Sequence, residues 1–167
     1  MSKVIAMIPA RLGSKRVKNK NLRLIDGKPL ISYVVETAVE SGIFDEIYIN
    51  SEADIFDDIA KQYNIKFYKR PAYLAEDDKT NDDFAYEFLQ NVECDTLVQL
   101  LSTSPFMSVD DVKSFVDTYK ENHDKQLEKM KASEDKDVKF FANYPFDKEN
   151  VKRFATFCKE SGGFEIC

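Results

Sequence analysis

Residues 4–22 read VIAMIPARLGSKRVKNKNL and join a short apolar run to a strongly basic one. The apolar part, residues 4–10, stops at a charged stretch that contains Gly13. This pattern is typical of a buried parallel strand that leads directly into a loop. The segment therefore predicts the first strand of an α/β fold.

Strand and helix patterns alternate through the next hundred residues. Short apolar runs predict further strands at residues 46–50, 66–69 and 95–101. Helical spacing lies between them, over residues 30–39 with Gly42 as a stop, over residues 54–63, from residue 81 behind a Thr80–Asp83 capping box, and after Ser108. The alternation predicts a Rossmann-like, mostly parallel sheet with helices on both faces, so ligands are expected in the loops after residues 10, 50 and 101.

Composition excludes several classes of protein. The 167 residues carry a net charge of −6 and contain no apolar run long enough for a membrane span. An acidic chain does not favour a nucleic-acid partner, and the N-terminus lacks the features of a signal peptide, so a cytoplasmic location is expected. Three widely spaced cysteines indicate reduced thiols rather than a disulfide framework or a zinc site.

The domain organisation is predicted from a change in composition near residue 122. Residues 1–122 are expected to form a nucleotide-binding α/β domain, and residues 123–139, which are highly charged, a solvated helix or linker. Residues 140–167 contain the amphipathic stripe Val151, Phe154 and Phe157 and predict a helical segment that packs on the same domain. His123 and the Asp135–Asp137 pair fit this solvated part better than a catalytic or metal site.

A basic loop follows the first strand. Arg11, Lys15, Arg16, Lys18, Lys20 and Arg23 occur there without an acid, so the rest of the chain carries −12. Placing this charge beyond the end of a parallel strand favours a polyphosphate site, with Gly13 and Ser14 allowing backbone amides to face phosphate oxygens. From charge alone, a solvated basic loop is an equal alternative. The spacing does not match a Walker A loop.

Two stretches near the N-terminus resemble a known protein family. Residues 8–22, IPARLGSKRVKNKNL, and residues 26–31, DGKPLI, are very similar to the opening of the cytidylyltransferases that act on sialic acids and related sugar acids. The likeness continues at residues 44–51, 70–75 and 103–106 and covers about residues 3–120. It implies a nucleotide-diphospho-sugar transferase-like fold, transfer of CMP from CTP to a sugar acid with release of pyrophosphate, a Mg²⁺ cofactor and a homodimer as the candidate assembly.

The resemblance also implies roles for individual residues. Arg11 and Lys20 are expected to stabilise charge on the α-phosphate and the departing pyrophosphate, as fixed cations can in phosphoryl transfer. The nucleotide-binding set that it implies is Ala10, Arg11, Gly13, Ser14, Lys15, Asn21, Arg70 and Asn81, with Asn81 standing where a serine is common. The metal ligands are not assigned.

The chain departs from the family pattern in the loop after the fourth strand. Leu101 and Ser102 stand where the family has Gln and Pro, and Gln99, two residues earlier, is a candidate replacement or a polar residue satisfied within the sheet. Glu52 stands where the family often has an aspartate. Family members also extend well past 200 residues. A non-catalytic nucleotide-binding remnant and a nucleotidyltransferase for another acceptor therefore remain alternatives.

Overall fold

The computed structural model describes residues 3–14 and 17–132. Its strands are β1 (Val4–Pro9), β2 (Leu24–Ile25), β3 (Lys28–Pro29), β4 (Glu46–Ser51), β5 (Lys66–Lys69) and β6 (Thr96–Gln99). Its α-helices are α1 (Leu30–Ser41), α2 (Ile55–Gln62), α3 (Asn81–Leu89) and α4 (Val109–Ala132), and short 3-10 helices cover Lys20–Leu22 and Ala72–Ala75. The strands and helices predicted within these residues are confirmed.

The central sheet is parallel and has the order β5-β4-β1-β6. β1 lies between β4 and β6, with Ile8 opposite Ile49 and Met7 opposite Gln99. The crossovers between parallel neighbours are long enough to contain helices, as parallel pairing requires. Because β1 is interior, its apolar residues are covered on both faces, which explains why the run does not alternate with polar residues.

Alternate side chains of β1 pack into two separate hydrophobic cores, one on each face of the sheet. Val4, Ala6 and Ile8 pack into a cluster with buried side chains of α1, α2 and the start of α4. Ile5 and Met7 point to the opposite face, where the cluster includes Phe84 and Phe88 of α3. Burying such large side chains contributes about 1.5–3 kcal/mol each. The sheet therefore carries helices on both faces, as predicted.

Side-chain caps fix where two helices begin. The Thr80 hydroxyl accepts from the Asp83 backbone N–H at 3.3 Å, while the Asp83 carboxylate accepts from the Thr80 N–H at 2.7 Å, which is the reciprocal capping box that the sequence predicts. Ser108 and Asp111 form the same arrangement before α4. The first of these caps sets the position of Asn81, and hence of the helix end beside the loop that follows β5.

A short hairpin between the basic loop and α1 was not predicted. β2 and β3 pair antiparallel across Asp26 and Gly27, whose φ angles are 50° and 77°. Two successive residues with positive φ are the mark of a type I′ turn, for which Asp-Gly is a preferred sequence. The Asp-Gly pair at residues 26–27 could therefore have revealed the hairpin.

The described residues fall into two compact units that divide after Asp117. The first holds the sheet and both cores. The described part of the second, residues 118–132, is helical. Residues 133–139 and the C-terminal segment predicted over residues 140–167 lie outside the described residues. No helix in residues 3–14 and 17–132 has the length and apolar character needed to cross a membrane.

Candidate functional site

A cleft of about 300 Å³ opens beyond the carboxyl ends of β1 and β6. Its walls come from the end of β1, the 3-10 turn at Lys20–Leu22, the segment from Arg70 to Phe84 and the loop after β6. Seven of the residues predicted to act on a nucleotide line it: Ala10, Arg11, Ser14, Lys20, Asn21, Arg70 and Asn81. The fold therefore brings together residues that are as much as 71 positions apart in the sequence.

The first residues of the basic loop are held by three side chains, two of which come from other parts of the chain. The Ala10 carbonyl accepts from Arg70 Nη2 at 3.0 Å, and the Arg11 carbonyl accepts from Asn21 Nδ2 at 3.2 Å. The Leu12 N–H donates to Glu52 Oε1 at 2.8 Å. Three consecutive residues are thus fixed by hydrogen bonds, so the loop leaves the sheet in a defined direction before any ligand binds.

Arg70 is a buried cation in the floor of the cleft, with only 3% of its surface exposed. Its Nη2 atom lies 2.8 Å from Glu52 Oε2, and its guanidinium carbon lies 4.8 Å from the centre of the Phe84 ring. Burial lowers the pKa of Arg70, whereas the neighbouring Glu52 carboxylate raises it. The ion pair and the ring therefore offset the cost of removing this cation from water.

Asn21 and Ser102 form a second buried contact across the cleft. Their exposures are 4% and 5%, and the Ser102 hydroxyl donates to Asn21 Oδ1 at 2.6 Å. Ser102 was not predicted as a site residue, although it lies in the loop after the fourth predicted strand. The motif marks it only as a departure, because a serine replaces the expected proline.

Acidic side chains also reach the cleft, which the basic loop did not lead us to expect. Glu76 and Asp77 line it together with Lys79. Arg11 Nη1 lies 3.3 Å from Asp77 Oδ1 and 3.4 Å from the Ala75 carbonyl oxygen. Arg11 is thus already paired with a carboxylate, and a phosphate would have to compete with Asp77 for it. The acids follow the RPAYLA motif directly, so their position was accessible to sequence reasoning.

Three predicted nucleotide-binding residues are not seen at the cleft wall. Lys15 lies outside the described residues. Gly13 adjoins Ser14, but its φ is not in the left-handed region, and among the described residues nothing beyond its two chain neighbours lies within 4 Å of the place where a Cβ would be. A tight turn that only glycine can adopt therefore does not explain the glycine at position 13.

Gln99 lies on the sheet face that carries Met7, opposite that residue on β6, and does not line the cleft. Its Oε1 atom is buried and has no hydrogen-bond partner among the described residues. The alternative, a polar residue satisfied within the sheet, also stays a prediction, although this oxygen has no partner there. A role for Gln99 in nucleotide binding stays a prediction.

The described residues offer few ligands for a metal ion. They contain no group of three or more His, Cys, Asp or Glu side chains placed to hold one. Glu76 and Asp77 supply two carboxylates at the cleft. Mg²⁺ commonly uses one or two carboxylates and takes its other ligands from water and substrate phosphates, so these residues fit such an ion.

A solved structure resembles this fold. A solved structure of CMP:2-keto-3-deoxy-manno-octonic acid synthetase complexed with CTP superimposes with a TM-score of 0.64 and 26% sequence identity, covering 72% of this chain and 48% of that one. This similarity confirms the expected nucleotidyltransferase-like fold.

Two relatives with named activities match the chain in sequence. N-acylneuraminate cytidylyltransferase of Escherichia coli is 35% identical over 106 residues, which are 63% of this chain and 25% of the relative. Pseudaminic acid cytidylyltransferase of Campylobacter jejuni is 35% identical over 136 residues, 75% of this chain and 56% of the relative. The chain thus spans between a quarter and just over half of the length of these two relatives. The cytidylyltransferase family model matches residues 5–155, and the chain belongs to that family.

Proposed function

We propose that this chain binds CTP in the cleft and transfers its CMP group to a sugar acid, releasing pyrophosphate. The observation that carries the proposal is the cleft itself, where the basic loop begins in a fixed conformation and Arg11 and Lys20 face the same space as buried Arg70 and Asn21. The named activities of the relatives support the choice of cytosine nucleotide and sugar acid.

In the proposed reaction, a hydroxyl oxygen of the sugar acid attacks the α-phosphorus of CTP. A new P–O bond forms, the bond to the β-phosphate bridging oxygen breaks, pyrophosphate leaves with the electron pair, and the hydroxyl proton passes to water. Such transfers depend mainly on positioning and on stabilising negative charge. Arg11 and Lys20, which line the cleft, are proposed to bind the α-phosphate oxygens and the leaving group.

The base and ribose are proposed to lie against Arg70, Asn21 and Asn81. The Arg70 guanidinium is held by Glu52 and the Ala10 carbonyl, so its orientation is set before the nucleotide arrives. Ser14 and Lys15 are proposed to extend the phosphate site. Preorganised donors of this kind need no rearrangement when charge develops, which is what makes them effective.

Mg²⁺ is proposed as the cofactor, with Glu76 and Asp77 as the carboxylates that the described residues offer it. When bound, the ion would neutralise phosphate charge and hold the triphosphate in one conformation. Cytoplasmic location and a homodimer are proposed on the same ground as the substrate, namely the family to which the chain belongs. The acceptor is proposed to be a sugar acid of the kind that the relatives' names state.

Pyrophosphate release tests the proposed function. The protein is incubated with Mg²⁺, each nucleoside triphosphate in turn and a panel of sugar acids. We expect release with CTP and one class of sugar acid, and a loss of about a hundredfold in turnover for Arg11→Ala, as for removal of one charge-stabilising donor. Binding of CTP without turnover would indicate a non-catalytic nucleotide-binding protein, and turnover only with other acceptors would indicate a different nucleotidyltransferase.

A further inference from the structure

We infer that Ser102 is a specificity-determining residue, which fixes the side-chain amide of Asn21 so that it presents a hydrogen-bond donor to an oxygen acceptor on the bound nucleoside. The inference rests on the proposed nucleotide site. It concerns a residue that stands where the family resemblance implies a proline, which could not make this contact.

The orientation of the Asn21 amide follows from the chemistry of its two partners. The Arg11 carbonyl oxygen can only accept a hydrogen bond, so the amide nitrogen must face it, at 3.2 Å. Oδ1 therefore faces Ser102, whose hydroxyl donates to it at 2.6 Å. The two contacts specify one of the two amide orientations and exclude the flipped one.

The contacts also determine what Asn21 has left to offer. One amide N–H is used by the Arg11 carbonyl, and the Asn21 oxygen already receives the Ser102 proton. The second N–H has no partner among the described residues, and Asn21 lines the cleft. Asn21 therefore presents a donor to the nucleotide, and the complementary group is an acceptor, either the pyrimidine O2 or a ribose hydroxyl oxygen.

Burial makes the hydroxyl of Ser102 important for this arrangement. With both residues almost inaccessible to water, removing the hydroxyl leaves Asn21 Oδ1 without a donor, and a buried unsatisfied oxygen is costly. The amide then keeps only its hydrogen bond to the Arg11 carbonyl, so it populates other orientations more than in wild type. Apparent affinity falls in proportion to the fraction of protein that retains the competent orientation, so a drop to about one-tenth weakens binding about tenfold.

Calorimetric titration of Ser102→Ala with CTP and three analogues tests the inference. The analogues are 2-thio-CTP, in which a poor acceptor replaces O2, and 2′-deoxy-CTP and 3′-deoxy-CTP, which each lack one ribose hydroxyl. We expect Ser102→Ala to bind CTP about tenfold more weakly than wild type, and wild type to discriminate to a similar extent against one of the analogues. Wild type and Ser102→Ala should bind that analogue with the same affinity, because the acceptor for the Asn21 N–H is already missing from it.

Ser104→Ala is the matched control, since Ser104 lies in the same loop but is exposed and does not line the cleft. Thermal unfolding establishes that both variants are folded, and the analogue titrations of wild type test the inference without any variant. An equal penalty for CTP and all three analogues would overturn it, because Ser102 would then act only on the loop. The inference would also be overturned if Ser102→Ala bound CTP as tightly as wild type does, or if wild type bound all four nucleotides equally tightly. Failure of wild type to bind CTP at all would instead refute the proposed function on which the inference depends.

Discussion

The ion pair between Glu52 and Arg70 makes the strongest prediction for stability. Arg70 is 3% exposed and the Glu52 side chain 14%, with 2.8 Å between Arg70 Nη2 and Glu52 Oε2. Glu52→Ala leaves a buried guanidinium without its counter-charge, which typically costs about 3–5 kcal/mol. It also removes the acceptor of the Leu12 N–H, at a further cost of about 1 kcal/mol.

These costs are large beside the free energy of unfolding of an ordinary domain, about 5–15 kcal/mol. We therefore expect the urea midpoint of Glu52→Ala to fall sharply, with Glu52→Gln intermediate because its amide oxygen still accepts one of the two hydrogen bonds. Urea unfolding followed by circular dichroism measures both. CTP affinity of Glu52→Gln should fall as well, since the same residue holds the start of the basic loop.

A neighbouring ion pair supplies the control. Lys69 and Asp54 are in contact, but their side chains are 49% and 85% exposed, so Asp54→Ala should cost no more than about 1 kcal/mol. The double variant Glu52→Gln/Arg70→Met should recover part of the stability that Glu52→Gln loses, because replacing a whole buried ion pair is often tolerated. If Glu52→Ala is no less stable than Asp54→Ala, the reasoning from buried charge is wrong.

Three further predictions concern other contacts. Asp77→Asn removes the carboxylate that competes with phosphate for Arg11, so CTP in the absence of Mg²⁺ should bind up to about fivefold more tightly in a calorimetric titration; weaker binding would contradict this competition. Hydrogen bonds from Lys66 and then Tyr48 lower the pKa of Glu46 to about 2, so its ionised form stabilises the fold above the ordinary carboxyl pKa of 4.5. The difference in urea midpoint between wild type and Glu46→Gln should therefore be constant above pH 4.5 and shrink as the pH falls towards 2, and a difference independent of pH would refute the assignment. Thr80→Ala removes the cap of α3 and should lower the free energy of unfolding by about 1 kcal/mol, whereas loss of stability equal to that of an exposed substitution such as Lys113→Ala would contradict the role of the cap.

Much of the fold was predictable because its signals are local. The buried run that became β1, the spacing of α1 and the capping box before α3 each depend on residues within a few positions of one another. The signal for the Asp-Gly hairpin is equally local, although the hairpin was not predicted. The place of the cleft followed from a general rule about parallel sheets, without any knowledge of side-chain contacts.

Most hydrogen bonds within the cleft could not be predicted from the sequence because they join distant segments. Ser102 is a departure from a motif, and only its distance of 2.6 Å to Asn21 makes it part of the site. Gln99 shows the opposite case: the alternation of strand side chains put it on a definite face, beside Met7, but Gln99 does not line the cleft. The acids at residues 76 and 77 directly follow the RPAYLA motif, but the pairing of Asp77 with Arg11 needed the fold.

The contacts that hold the start of the basic loop have a consequence for the order in which the protein folds. Glu52 and Leu12 are 40 positions apart and Arg70 and Ala10 are 60 apart, while Asn21, which holds Arg11, is itself held by Ser102, 81 positions away. Such distant closures form only after the intervening chain has been brought together, so the cleft should be among the last regions to assemble and the first to open on heating. A nucleotide that binds only the completed cleft would then delay this opening, and the shift in melting temperature with CTP concentration would report on loop closure itself.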